Sequence, residues 1–226
     1  TTMTGVTISD NLGAYTLNTL TLVPMDYVVG TVRYYVGGVL QPTPTVTAGP
    51  PLTISGLSVP AKGNVTVIYQ AKTNDYAPLA QESSITNTAT INANNIANPI
   101  TASATVNAYS EPVLRISKSL TPTTVSENGQ LTYTFIIQNY GNTAADEAAA
   151  LIVSDRFDPI LNPITVAFNG TAWTEGTEYT YDATTGQFVS TAGIITVPAA
   201  SYTQDAATGA ISIVPGSATL TITGTV

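Results

Sequence analysis

The chain has 226 residues, of which 43% are hydrophobic and only 9% are charged, and its formal net charge is −8. This length suffices for one large or two ordinary domains, and a charge-poor, threonine-rich composition is typical of sheets with one solvated face rather than of disorder. The absence of cysteine and histidine excludes disulfides, thiolate zinc sites and catalysis by Ser-His-Asp or Cys-His sets.

The sequence also bears on nucleic-acid binding, membrane insertion and processing. The six basic residues are spread singly along the chain, so no basic patch for nucleic acid is expected. No apolar run approaches the ~20 residues of a membrane span. Nothing in the sequence predicts a metal or a cofactor. The first residues, Thr1-Thr2-Met3-Thr4, show no signal-peptide pattern and do not begin with methionine, so we expect a processed or excised piece.

The first half of the chain is a succession of predicted strands. Alternating residues 6–10 begin it, and residues 32–36 and 39–40 flank Gly37-Gly38, a two-residue hairpin signal. The proline-rich residues 41–51 predict an irregular or edge segment. Further strands are predicted at 65–71, 85–91 and 102–108.

The strand pattern begins again after Glu111-Pro112. Strands are predicted at 113–120, 131–139 and 150–155, and Asn169-Gly170 is a second hairpin signal. The helix-prone run 144–150 is too short to be stable alone and is interpreted as a loop. Two near-copies, residues 182–186 and 205–209, begin with Asp and end with Gly, which predicts turns that close on a left-handed glycine.

An internal repeat connects the two halves. Ile8-Ser9-Asp10 matches Val153-Ser154-Asp155, the two hairpin signals match each other, and residues 59–67 resemble residues 214–220. The first copy has no counterpart of residues 113–139, and the second has none of 85–91 or 102–108. The sequence therefore predicts an all-β chain of two immunoglobulin-like β-sandwich modules in tandem. Residues 1–111 form the first module, which lacks its opening strands, and residues 112–226 form the second, which lacks its closing strands.

Four polar residues lie in phase with the predicted core. Lys118 alternates with Leu114, Ile116 and Leu120, and Asp10, Asp155 and Asn87 each share a strand face with apolar neighbours. Buried polar groups need partners. An amine beside a carboxamide, with an acid to shuttle protons, is the set required for a side-chain amide bond. The alternative is structural: an ordinary Lys118–Asp155 ion pair, with Asn87 and the aspartates bonding turns.

The chain carries an ordered set of motifs at residues 113–120, 131–135, 139–142, 153–155 and 87–90. Together these motifs resemble the repeat domain of unknown function arrayed in tandem on bacterial and some archaeal cell-surface proteins. That domain is similar in turn to the isopeptide-forming domains of Gram-positive pilins and adhesins. The resemblance implies an isopeptide bond between Lys118 and Asn87, with Asp10 or Asp155 as the assisting acid. The chain departs from the family because neither copy contains the lysine, the asparagine and the acid together at these motif positions.

These observations favour a structural function and an extracellular, cell-surface or appendage location. We expect a stalk, repeat array or filament whose partners are neighbouring copies or adjacent modules, joined by strand complementation. The alternative is a carbohydrate- or receptor-binding adhesin module that takes a host or cell-surface glycan. Its candidate sugar-stacking residues are Tyr34, Tyr35, Trp173, Tyr179 and Tyr181. An enzyme is not expected, because Glu175 and Glu178, the one glycosidase-like pair, lie in a predicted turn.

Overall fold

The computed structural model describes residues 1–94 and 96–226, and in that part the chain is all β, with antiparallel sheets and a single short 3-10 helix. The chain divides into two compact units. Unit 1 comprises Thr1–Ala108 and Thr203–Ser212, and unit 2 comprises Tyr109–Tyr202 and Ile213–Val226. These units differ from the predicted modules, 1–111 and 112–226, in two places: the first boundary follows Ala108, and residues 203–212 are grouped with unit 1.

Unit 1 is built on two main sheets that share one core. Its strands are β1 (Met3–Asp10), β2 (Tyr15–Leu17), β3 (Leu20–Leu22), β4 (Met25–Tyr27), β5 (Arg33–Val36), β6 (Val39–Leu40), β7 (Thr45–Thr47), β8 (Leu52–Val59), β9 (Val65–Ile68), β10 (Ala71–Thr73), β11 (Ser84–Asn92) and β12 (Ile100–Asn107). The larger sheet has the order β12-β11-β1-β8-β7 and the smaller the order β6-β5-β9, with β2–β3 and β4–β10 as separate pairs. Val6, Leu52 and Ile54 from the larger sheet pack with Tyr34 from the smaller, so the unit is sandwich-like.

Unit 2 has the same two-sheet plan. Its elements are β13 (Leu114–Thr121), β14 (Gln130–Asn139), the 3-10 helix Glu147–Ala149, β15 (Ser154–Arg156), β16 (Ile164–Phe168), β17 (Thr171–Trp173), β18 (Tyr179–Asp182), β19 (Gln187–Ser190) and β22 (Gly216–Thr225). One sheet has the order β13-β14-β22-β16-β17 and the other the order β15-β19-β18. Phe135 and Leu220 of the first sheet and Phe188 of the second enter one buried core.

The remaining hairpin contains the residues, 203–212, that are grouped with unit 1. Strands β20 (Ser201–Gln204) and β21 (Ile211–Val214) pair with each other, and the tip between them belongs to unit 1. In unit 1 the side-chain amide of Gln204 donates to the Tyr15 hydroxyl at 2.7 Å, and the backbone N–H of Ile211 donates to the Asp75 carbonyl at 2.9 Å. The sequence predicts the turn at 205–209 but carries no local signal for these long-range partners.

Both predicted Asp-to-Gly turns are confirmed. The N–H of Gly186 donates to the Asp182 carbonyl and that of Gly209 to the Asp205 carbonyl, each at 2.8 Å. Both glycines have left-handed backbones, with φ of +73° and +77°, which other residues adopt at a cost. Hydrogen bonds from Thr184 and Thr185 to the carboxylate lower the pKa of Asp182 to about 2.

The two units repeat one arrangement in matching register. In the hairpin β5–β6 the residue three positions before the turn, Tyr34, pairs with Val67, and in the hairpin β16–β17 the corresponding Val166 pairs with Ile222. Asp10 on β1 lies opposite Leu52, just as Asp155 on β15 lies opposite Phe188. Strands β1, β8, β5 and β9 therefore correspond to β15, β19, β16 and β22.

The units differ in which edge strands they carry. In unit 1, β11 pairs with β1 and β12 pairs with β11, whereas no described strand pairs with the equivalent edge of β15. In unit 2, β14 pairs with β22 and β13 pairs with β14, whereas the equivalent edge of β9 has no partner among the strands of residues 1–94 and 96–226. Each unit thus contains the strand pair that the other lacks.

Candidate functional site

Unit 2 brings Lys118 and Asp155 together. Lys118 is on β13, opposite Phe135 of β14, and its Nζ forms an ion pair with Oδ2 of Asp155 on β15. The two side chains are 40% and 20% exposed. The ammonium also lies over aromatic rings, 4.5 Å from the ring centroid of Tyr133 and 5.7 Å from that of Phe157. Such rings attract a cation through their negative faces, so the amine is held above an aromatic surface and beside an acid.

The strand that carries Lys118 is exposed along its whole length. Ile116, on the same face as Lys118, is 57% exposed, although it pairs with the buried Ile137. The prediction that this apolar face lies inside the core is therefore wrong for the described chain. The reason is that β14 is covered by β15 and β19, while nothing described covers β13.

Unit 1 holds the second candidate site around Asp10. This carboxylate is 1% exposed. Its Oδ1 accepts from the Leu12 N–H at 2.8 Å, and its Oδ2 accepts from Asn87 Nδ2 at 2.8 Å and from the Tyr69 hydroxyl at 2.5 Å. Asn87 Oδ1 in turn accepts from the Gly13 N–H at 2.9 Å. The buried charge is therefore met by three hydrogen-bond donors, as burial requires.

Tyr69 is the residue of this site that the sequence reasoning missed. Burial raises the pKa of its phenol above the ordinary value, and the hydrogen bond to Asp10 raises it further. The phenol therefore stays protonated and acts as a donor. A signal was present, since Tyr69 continues the alternation of Val65 and Val67 onto the inner face of the smaller sheet.

The two sites occupy equivalent positions in the two units but contain different side chains. Because Asp10 and Asp155 occupy equivalent strand positions, each unit presents the same acid with a different nitrogen group beside its Oδ2. In unit 1 that group is the Asn87 amide, and in unit 2 it is the Lys118 amine. Lys118 and Asn87 belong to different units. The predicted role of these residues in an isopeptide bond stays a prediction.

Each unit has a groove, and the groove of unit 1 is lined in part by its acid, Asp10. In unit 1 a groove of about 350 Å³ is lined by Asp10, Tyr69, Asn87, Ala89 and Ala102. In unit 2 a groove of about 180 Å³ is lined by Leu114, Ile116, Ile137, Ile152 and Ile195. The groove of unit 1 lies on the face of β11 that an equivalent of the β13–β14 pair would cover. The groove of unit 2 lies along the uncovered face of β13.

The aromatic and acidic alternatives do not form comparable sites. Tyr34 and Tyr179 are buried in the two cores, and Trp173 stacks on Phe168 with ring centroids 5.3 Å apart. Glu178 accepts from the Thr174 N–H at 2.7 Å within a turn. Each of these residues therefore has structural partners within its own unit.

Among residues 1–94 and 96–226, no three or more acidic, histidine or cysteine side chains are grouped so that they could hold a metal ion. No helix in the same residues has the length and apolar character needed to cross a membrane. No protein-family model, curated protein or solved structure matches the chain. Function is therefore inferred from the two sites and the strand edges.

Proposed function

We propose that this chain is a structural module of an extracellular or cell-surface array or filament. Its immunoglobulin-like sandwiches are completed by added strands and fastened by amide bonds between lysine and asparagine. One observation carries the proposal: equivalent acids, Asp10 and Asp155, hold an asparagine amide in one unit and a lysine amine in the other. A completed sandwich would hold both groups at one acid.

The chemistry of such a site needs no cofactor. The neutral Lys118 amine attacks the side-chain carbonyl carbon of the incoming asparagine, and a C–N bond forms. The acid at Asp155 takes one proton from the amine and returns it to the amide nitrogen, which leaves as ammonia. The rings of Tyr133 and Phe157 lie on one side of the Lys118 amine and shield that side from water.

Open strand edges support assembly by strand addition. An unpaired edge presents a row of N–H and C=O groups to any extended segment. Because the missing pair differs between the two units, added strands make a head-to-tail contact, and contacts of that kind form filaments when they do not close. The resemblance to tandem surface repeats and isopeptide-forming domains agrees with this role.

The test combines light scattering with intact mass spectrometry. The purified 226-residue chain is concentrated until assemblies form, and the mass of the denatured products is measured. We expect detergent-resistant products, each lighter than the sum of its chains by one ammonia per bond. Lys118→Arg keeps the positive charge but removes the nucleophile, so its products should have the full mass. A chain that stays monomeric at every concentration would overturn the proposed assembly, and assemblies of unmodified mass would overturn the bond.

A further inference from the structure

Unit 2 presents a continuous surface that its own described strands leave uncovered. We call it the acceptor face and define it by the free edge of β15 together with Ile116, Lys118, Leu120 and Ile152. The three hydrophobic members are all exposed. Apolar groups that line up beside an unpaired strand edge mark an interaction site, because each favours a covering partner.

Unit 1 shows what covers the equivalent surface in the same fold. There β11 pairs with β1, with Ala89 opposite Asp10 and Ile91 opposite Ile8, and β12 pairs with β11 along its full length. The partner of this edge is therefore an antiparallel strand pair, and Asn87 is placed two residues from the position opposite the acid. Unit 2 has the matching edge and acid without that pair.

The sizes of the side chains are complementary. The inward face of β11–β12 carries small residues next to the asparagine, with Ala89 opposite Ala102 and Asn87 opposite Ala104. The face of β13–β14 carries large ones, including Phe135 opposite Lys118. Large residues on one sheet against small residues on the other interdigitate without overpacking.

We propose that the acceptor face binds an extended strand pair of the β11–β12 type. The incoming segment pairs antiparallel with β15, covers β13, and places its asparagine at Asp155 Oδ2 beside Lys118. The partner is a strand pair without charged residues, whose inward face carries apolar residues and one asparagine with alanines next to it, as residues 84–107 of this chain do. This inference rests on the proposed function and specifies its partner.

The experiment titrates the full chain with a fluorescent peptide of residues 84–107 and follows anisotropy, with hydrogen exchange to locate the bound peptide. We expect saturable binding and new protection at Ser154–Arg156 and along β13. Ile116→Glu places a charge on the acceptor face at a side chain that is 57% exposed, so the unit should fold, and binding should weaken at least tenfold. Ile152→Glu is a second variant on the same face, and Ile213→Glu, at a 42% exposed position of unit 2 outside it, is the matched control.

Each outcome is informative about the partner. Absence of binding, binding that ignores both acceptor-face variants, or protection only elsewhere overturns the inference. If the chain binds the peptide but never self-assembles, the result supports the acceptor-face inference and contradicts the proposed filament. If the chain assembles but does not bind the peptide, the result supports the filament and contradicts the acceptor-face inference. A peptide with Asn87→Ala should still bind but should yield no covalent product. If the unchanged peptide also binds without loss of ammonia, the interface stands and the amide bond does not.

Discussion

Replacing Asp10 by asparagine tests the hydrogen-bond network of unit 1 with almost no change in shape. The substitution keeps an acceptor for the Leu12 N–H but turns Oδ2 into an N–H₂ group. Two donors, Tyr69 Oη and Asn87 Nδ2, point at that atom in the wild type. The tyrosine hydroxyl can rotate and accept, whereas the Asn87 amide group then faces another donor.

The loss of unfolding free energy in Asp10→Asn follows from the hydrogen-bond partners that remain. Asn87 can escape the conflict only by flipping its amide, which turns its N–H₂ group toward the Gly13 N–H, a donor that Asn11 Oδ1 also accepts at 3.0 Å. In either arrangement one donor of the network is left unpaired, which costs about 1–3 kcal/mol. The loss of the charge-assisted bonds adds to this, while removal of a buried charge offsets part of it. We expect unit 1 to lose about 2 kcal/mol of unfolding free energy, or roughly 30-fold in the equilibrium constant.

Hydrogen exchange of peptides from β1 and β11 in a urea series measures this loss within unit 1. The exposed Asp75 of the same unit supplies the control, since Asp75→Asn should change stability by no more than about 0.5 kcal/mol. Adding Asn87→Asp to Asp10→Asn restores a donor–acceptor pair and an acceptor for Gly13, so the double variant should recover about 1 kcal/mol. An Asp10→Asn protein as stable as the wild type would refute the network described here.

Three further predictions concern other parts of the chain. Phe188→Ala removes a fully buried ring packed against Phe157 and Tyr179 and should cost unit 2 about 3–5 kcal/mol, measured by urea unfolding followed through Trp173 fluorescence. Because the pKa of Tyr69 is raised in the folded state, its contribution to stability is fully present below the unfolded pKa of 10.0 and decreases as the pH rises above that value. Hydrogen exchange of β9 amides between pH 9 and 11 should show this loss of stability. Tyr69→Phe should make the stability of unit 1 less dependent on pH in that range. Gly186→Ala should destabilise more than Gly170→Ala in thermal melts. Both positions have positive φ, but the new Cβ at 186 would lie 2.5 Å from the Phe157 carbonyl oxygen, whereas the Cβ at 170 meets nothing.

Much of the strand order was predictable because its causes are local. Two-residue alternation located β11 and β14, and Gly37-Gly38 and Asn169-Gly170 fixed two hairpins, since few other residues adopt the required left-handed backbone. The run 144–150 contains only the 3-10 turn Glu147–Ala149, in which the Asp146 side chain accepts from the Ala148 N–H. Short-range chemistry is sufficient for all of these features.

The features that were not predicted depend on distant partners. The strand predicted at 150–155 is only Ser154–Arg156, because strand length is set by pairing with β19 rather than by the pattern itself. The placement of residues 203–212 in unit 1 depends on contacts with Tyr15 and Asp75. The approach of Lys118 and Asp155 was predicted from phase within one module, but the exposure of β13 depends on strands that the sequence could not assign.

The position of Lys118 argues against a purely stabilising role for its ion pair. A partly exposed pair such as Lys118–Asp155 contributes between about 0 and 1 kcal/mol. A leucine at the same position would continue the apolar face of Ile116 and Leu120. It would bind a covering strand pair more favourably, because the desolvation cost of burying an ion pair often exceeds the attraction between its charges. The lysine therefore weakens the surface as a simple docking site.

That disadvantage disappears if the amine reacts to form an amide, since a neutral amide buried against Tyr133 and Phe157 needs only hydrogen bonds. The proposed amide bond would thus account for a lysine at this place better than the ion pair does. Lys118→Leu separates the two explanations: it should bind the 84–107 peptide at least as tightly as the wild type while forming no covalent product, and weaker binding would show that the ion pair itself is the recognition element.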